Sequence, residues 1–226
     1  MPIVRRSSGI YELDKRLQGG YPKGSIVSLF GRTGLLKKYV ALSFLKKGMD
    51  AGDKCLYITT RDSIDTIHHH ADQFDLELHP IVFLDAVNWR IKRVNPKLET
   101  SAQYEVTNLT DLNALLAKIM EACNNTSITR ILFDSPTSLL LYTTPGKEQV
   151  FKFFELLTAY VRSNEITMCY TMEEGVHPED VVSTMHYLSD GIILCGFSDT
   201  DGYQANVRVQ YMTLTKYDTS TITVDI

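Results

Sequence analysis

Residues 25–38, SIVSLFGRTGLLKK, read as a short apolar strand, a glycine-containing turn and the start of a helix. That order is the layout of a phosphate-cradling loop, whose motif is G-x-x-x-x-G-K-[ST]. Laid on the motif, Gly31 is the first glycine and Lys37 the lysine, with Arg32, Thr33 and Gly34 in the loop between them. The second glycine is Leu36, and the hydroxyl position is Lys38. The second glycine lets backbone N–H groups come close to phosphate, and leucine puts a branched side chain at that approach. The hydroxyl is a magnesium ligand, and magnesium neutralises charge during phosphoryl transfer. Lysine offers three donors and no lone pair, so Lys38 cannot ligate a metal. The reading is a degenerate nucleotide site, ill-equipped to hydrolyse ATP.

The chain has 226 residues, suited to a single α/β domain with a sizeable core. Its formal net charge of −4 gives no global basic footprint for nucleic acid. Cys55, Cys123, Cys169 and Cys195 are far apart and form no C-x-x-C pair, which points to free buried thiols in a reducing compartment. No metal site is expected. No apolar run is long enough to span a bilayer and the N-terminus lacks a signal core, so the expectation is a cytoplasmic protein with no membrane partner.

The organisation expected is one domain over 1–226, made of a lead-in (1–24), an α/β core (25–196) and antiparallel C-terminal strands (204–226). Apolar runs at 26–30, 54–60, 81–86, 129–133, 166–171 and 191–195 read as strands, and periodic segments at 37–49, 63–74, 108–123, 149–161 and 179–188 as helices. The tail at 206–216 and 221–224 alternates as antiparallel strands do. Residues 88–103, with Arg90, Lys92, Arg93 and Lys97, read as a long surface loop. Alternating strands and helices argue for a mainly parallel sheet flanked by helices, with an antiparallel edge. Ligands then sit at the carboxyl ends of the strands, which places Phe30-Gly31, Thr60-Arg61 and Phe133-Asp134 together.

ILFDS at residues 131–135 is an apolar strand ending in aspartate, the form of a Walker B strand. With LDKRLQGGYPKGS before the loop, YITTRDS, RILFDSPTSLLLY, TMEEGVHPEDVVSTMHYLSDGIIL and the terminal sheet, these segments resemble the KaiC-like and RadA-like branch of the RecA superfamily, and several are similar to archaeal single-domain KaiC-like proteins. The resemblance implies a RecA-like P-loop NTPase fold. It makes Lys37 the phosphate lysine and Asp134 the Walker B aspartate. It places Arg61 and Asp62 where the family carries two glutamates, one of which polarises the attacking water. Asp62 would sit about a methylene (~1.5 Å) too far away, and such a miss is costly in catalysis. The family's terminal Lys-x-Arg reads Lys216-Tyr217-Asp218.

Second glycine, hydroxyl, base and arginine have therefore all drifted, leaving Asp62 and Asp134 as vestigial catalytic positions. The expected function is a catalytically inactive paralogue, regulatory or scaffolding, that works through protein contacts with itself or an active paralogue. No cofactor is expected; the alternative is ATP or ADP held without magnesium, the Lys38 ammonium acting as counter-charge. Two other functions remain open: a weak ATPase using Lys37, Asp62 and Asp134, and an accessory protein in DNA recombination.

Bland readings stand beside these. Lys37, with Leu36 beside it, reads rather as a solvated lysine at a helix start, and Asp134 equally as a cap on the turn after its strand. His68, His69 and His70 point about 100° apart on a helix and cannot converge on one ion. Glu173-Glu174 and Glu179-Asp180 suggest acid–base chemistry, with a charged surface loop that would repel nucleic acid as the default reading, and 142–147 reads as the other candidate strand-binding loop.

Overall fold

Short apolar strands that each feed a helix must lie parallel, with the helices covering the sheet faces. The computed structural model, which describes residues 2–97, 99–142, 146–197 and 205–224, has that arrangement. The lead-in holds β1 (Arg5–Arg6), α1 (Tyr11–Arg16) and β2 (Tyr21–Pro22). The first half of the core follows as β3 (Ile26–Gly31), α2 (Leu35–Asp50), β4 (Cys55–Thr59), α3 (Ile64–Gln73), β5 (Val82–Asp85), α4 (Asn88–Val94) and β6 (Tyr104–Glu105). The second half is α5 (Leu112–Thr126), β7 (Arg130–Asp134), α6 (Pro136–Tyr142), α7 (Lys147–Ser163), β8 (Thr167–Glu173), α8 (Glu179–Tyr187) and β9 (Gly191–Phe197). β10 (Ala205–Met212) and β11 (Ile222–Val224) close the sheet.

The main sheet has the order β11-β10-β9-β3-β8-β7-β4-β5-β6. From β9 to β6 every pairing is parallel, and β10 and β11 add antiparallel at one edge. The carboxyl ends of β3, β4, β7 and β8 therefore share one rim of the sheet.

Period-2 alternation divides the strand side chains between two apolar layers. Val27 and Leu29 of β3, Tyr57 of β4, Leu132 of β7 and Cys169 of β8 pack with α1, α2 and α3. Ile26, Leu56, Ile58, Ile131, Phe133, Met168 and Tyr170 face α5, α7 and α8 instead. By the same alternation, Gly31, Asp134, Thr171 and Glu173 fall on the α2 side. Local chemistry sets the helix starts: Ser63 Oγ accepts from Thr66 N–H at 3.2 Å, and Asp111 caps α5 by accepting from Ala114 N–H at 2.9 Å.

The lead-in is stapled to the core by a buried arginine. Arg130 Nε donates to Asp53 Oδ2 at 2.7 Å, and its NH1 donates to the carbonyls of Ser7 and Phe44. Arg6 joins the same aspartate at 2.6 Å. All four cysteines are free and buried.

Three expectations change here. Residues 88–103 are no uniform loop, because α4 forms within them and its basic side chains find partners. Lys92 pairs with Glu105 at 2.6 Å, Arg93 stacks over the Trp89 ring at 5.2 Å, and Arg90 donates to Thr60 O at 2.9 Å. The strand expected at 206–216 stops at Met212, where a turn through the positive-φ residue Leu214 replaces it. Glu173 belongs to β8, 7% exposed, rather than to a charged surface loop. Among the described residues no helix is long and apolar enough to cross a membrane.

Candidate functional site

The rim is built where β3 turns into α2. Gly31 lies so close to β9 that an added Cβ would sit 1.8 Å from Cys195 O, so only glycine fits there. The loop then exposes Arg32, Thr33 and Gly34, and α2 begins at Leu35. The Phe197 ring lies beside Gly34, 3.7 Å from where its Cβ would be.

Leu36 does not project into the loop. It is 2% exposed and packs in the apolar layer under α2. The bulk expected at the phosphate approach is thus directed into the core. Lys37 is not the solvated lysine of the bland reading either: it is 4% exposed, and its ammonium donates to Gly31 O at 2.9 Å and to Arg32 O. Burial lowers its pKa from the ordinary lysine value.

Lys38, one residue on, points at the sheet. It is 5% exposed, and its ammonium donates to Asp134 Oδ2, to Asp62 Oδ2 at 2.7 Å and to the Tyr57 hydroxyl at 3.1 Å. Tyr57 in turn donates to Asp134 Oδ2 at 2.6 Å, and Thr171 donates to Asp134 Oδ1 at 2.5 Å. Burial alone would raise the Asp134 carboxyl, but the Lys38 ammonium outweighs it and, with the Thr171 and Tyr57 hydroxyls, holds the pKa down at about 2. Burial likewise opposes the charge on Lys38, and the two carboxylates overcome it and raise the pKa above the usual lysine value. Asp134 is thus no turn cap; it is the centre of a buried polar cluster.

A second string of polar groups continues along the rim. Arg61, half-exposed, donates through Nε to Asp62 Oδ1 at 3.1 Å and approaches Glu173 Oε1 at 3.9 Å. Glu173 Oε2 accepts from Thr137 Oγ1 at 2.6 Å, and His177 Nε2 lies 3.0 Å from that hydroxyl.

A family model described as "ATPase: KaiC" matches residues 6–225. This chain belongs to the KaiC family. Over 170 residues it is 29% identical to a circadian clock protein KaiC2 of Synechocystis, covering 74% of this chain and 27% of that protein. A UPF0273 protein of Methanopyrus kandleri is 25% identical over 62% of this chain and 57% of its own length. A DNA repair protein RadA of Rickettsia bellii is 28% identical, with 76% of this chain and 34% of that protein aligned. The chain thus spans about a quarter to just over half of these curated relatives. The crystal structure of a KaiC-like protein from Pyrococcus horikoshii superposes with a TM-score of 0.77 at 18% identity, covering 100% of this chain and 96% of that one. The fold is the RecA-like α/β fold of KaiC/RadA-like proteins.

At the rim, then, the Lys38 ammonium meets the Asp134 carboxylate directly. Gly31, Lys37, Lys38, Asp62 and Asp134 all gather at the rim, as their places at strand and helix ends required. Lys216 does not join them: it lines a separate cleft with Glu12, Lys15 and Arg16, and Asp218 pairs with Arg16 of the lead-in. His68, His69 and His70 stay on α3, and among the described residues no cluster suits a metal ion. Of the other strand-binding loop, 142–147, residues 143–145 lie outside the described residues.

Sequence reasoning missed Tyr57, Thr171 and Thr137, and it set Glu173 by default in a charged loop. Glu173 was the most legible of these. It extends the apolar run 166–172 by one residue, as Asp134 extends 131–133.

Proposed function

We propose that this KaiC-family domain does not hydrolyse nucleotide and acts through protein contacts, as a regulatory or scaffolding partner of itself or of an active paralogue. The single observation that supports this is the buried contact between the Lys38 ammonium and Asp134. The fold family implies a magnesium ion held between a hydroxyl and that aspartate, and the residues present do not fit one. The hydroxyl is missing, Asp134 already accepts from Lys38, Tyr57 and Thr171, and a dication would face an ammonium across a low-dielectric gap. Position 61 holds a cation where a water-polarising carboxylate would stand, and Asp62 is tied to Lys38 and Arg61. Leu35 after β3, Val176 after β8 and Phe197 at the end of β9 are 40–45% exposed and supply apolar surface for a partner.

A weak ATPase would need Asp62 and Asp134 free, and both are committed to Lys38. A recombination accessory would need exposed cations, and Arg90, Lys92 and Arg93 are engaged within the chain. The test is phosphate release from ATP by the purified chain with magnesium. Release at the buffer background is expected. Magnesium-dependent release that disappears in Lys37→Ala would refute the proposal.

A further inference from the structure

We infer that the groove between α5 and α7 is a dimer interface that receives α7 of a second copy of this chain, packed antiparallel across a two-fold axis. Its assembly does not depend on whether the rim hydrolyses nucleotide.

α5 and α7 lie side by side on the face of the sheet opposite α2. They run parallel to each other: Asp111 and Gln149, at their starts, line the same groove, and further along Tyr160 of α7 donates to Asn124 Oδ1 of α5 at 2.9 Å. The groove is walled by Leu112, Leu116 and Phe153, and Leu156 joins them while remaining 47% exposed. In steps of three or four from Asn113 to Asn124 on α5 and from Gln149 to Tyr160 on α7, the outward positions hold a single charge, that of Lys152. Exposed Ala117 and Ala159 on the same stripe leave room for a neighbouring helix. The outer face of a surface helix ordinarily carries charged and polar residues. Depletion of charge around an apolar centre marks the core of an interface instead.

Charge identifies the occupant. Neighbouring cations are paired within the chain, Lys118 with Glu121 at 2.7 Å and Lys147 with Asp180, whereas Lys152 and Glu155 make no ion pair among the described residues. These two opposite charges lie about one turn apart on α7, beside Leu156. An antiparallel second α7, centred at the level of Phe154, sets Lys152 of each copy beside Glu155 of the other, so two ion pairs form at once. The same alignment puts each Leu156 into the other copy's groove, and the surface is complementary to itself. A parallel alignment would bring Lys152 against Lys152 and is disfavoured.

The size of the face sets the strength. α7 has 17 residues, about 25 Å of helix, and two helices are about 20 Å across, so two copies together bury about 1,000 Å². That is the low end for a specific interface, and it gives a weak dimer with a dissociation constant on the order of 10 μM.

The experiment is sedimentation equilibrium of the full chain from about 1 to about 200 μM, a range that brackets that constant. The wild-type chain should pass from monomer to dimer across it. Leu156→Glu changes an exposed position, so it should keep the wild-type circular dichroism spectrum while raising the dissociation constant about tenfold or more. Lys152→Glu and Glu155→Lys should each be monomeric alone. Mixed in equal amounts they should form a heterodimer, because each supplies the charge that the other lacks. A wild-type chain that stays monomeric throughout, as it would if the groove took a helix of a different protein, overturns the inference. So does a dimer that survives Leu156→Glu, which would put the contact elsewhere on the surface, or a mixture of the two charge variants that stays monomeric.

Discussion

Replacing Lys38 with methionine keeps an unbranched side chain of similar length and removes the charge, so its effect isolates the ammonium. In the native chain Asp134 is 5% exposed, and Lys38 is the cation that compensates it. Removing one member of a buried pair leaves a carboxylate without a counter-charge, a loss of about 3–5 kcal/mol at neutral pH. The carboxyl's own depression, from 3.8 to about 2, corresponds to about 2 kcal/mol of that. The sign follows from the folded value lying below the unfolded one. In the native chain this stabilisation is complete above the unfolded value of 3.8 and is lost as pH falls through about 2. In Lys38→Met the largest influence opposing burial is gone and only the Thr171 and Tyr57 hydroxyls still lower the carboxyl, so its pKa rises and the variant recovers by taking up a proton. Its deficit should be largest near neutrality and shrink as the pH approaches 4 (the unfolded value is 3.8). Urea unfolding followed by circular dichroism at several pH values measures this directly. Adding Asp134→Leu to Lys38→Met should restore most of the loss, because the stranded charge goes with it. A deficit below about 1 kcal/mol at neutral pH, or one that does not change with pH, would refute the account of Asp134 as a compensated buried anion.

Two further outcomes test the frame around the site. Gly31→Ala puts a methyl group 1.8 Å from Cys195 O, a backbone atom that cannot swing aside, so a loss of several kcal/mol (about 3 or more) or insoluble protein is expected; a soluble variant with wild-type urea midpoint would contradict the packing of β3 on β9. Arg130→Met takes one of two cations from Asp53, which keeps Arg6, and frees the Ser7 and Phe44 carbonyls, so unfolding should weaken by about 2 kcal/mol and limited proteolysis should begin within the lead-in; unchanged cleavage there would show that Arg130 does not anchor it.

Much of the fold was legible because the dominant signals were local. Runs such as 54–60 and 129–133 are too short and too apolar for anything but buried parallel strands, and helices α5, α7 and α8 follow their 3.6-residue periodicity to within a few residues. The exceptions have a common cause. α4 forms inside a polar segment because Lys92 and Arg93 find Glu105 and Trp89, contacts that no periodicity reveals. β10 ends before 213 although the alternating pattern continues, because the chain there turns back toward Arg5, which donates to Leu214 O and Thr215 Oγ1.

The site divides in the same way. Sequence alone determined the strand–loop–helix order, the residues Leu36 and Lys38 at the start of that helix, and the presence of an aspartate at the end of β7. It could not tell that Leu36 turns into the core, that Lys37 is buried on its own loop's carbonyls, or that Lys38 lies against Asp134 and Asp62. Those contacts join α2, β4, the loop after β4, β7 and β8 across up to 96 residues of chain. A residue's local pattern reports which face it occupies, whereas the charge it meets depends on which strands become neighbours. Only the β4-β7-β8-β3 order of the folded sheet decides that.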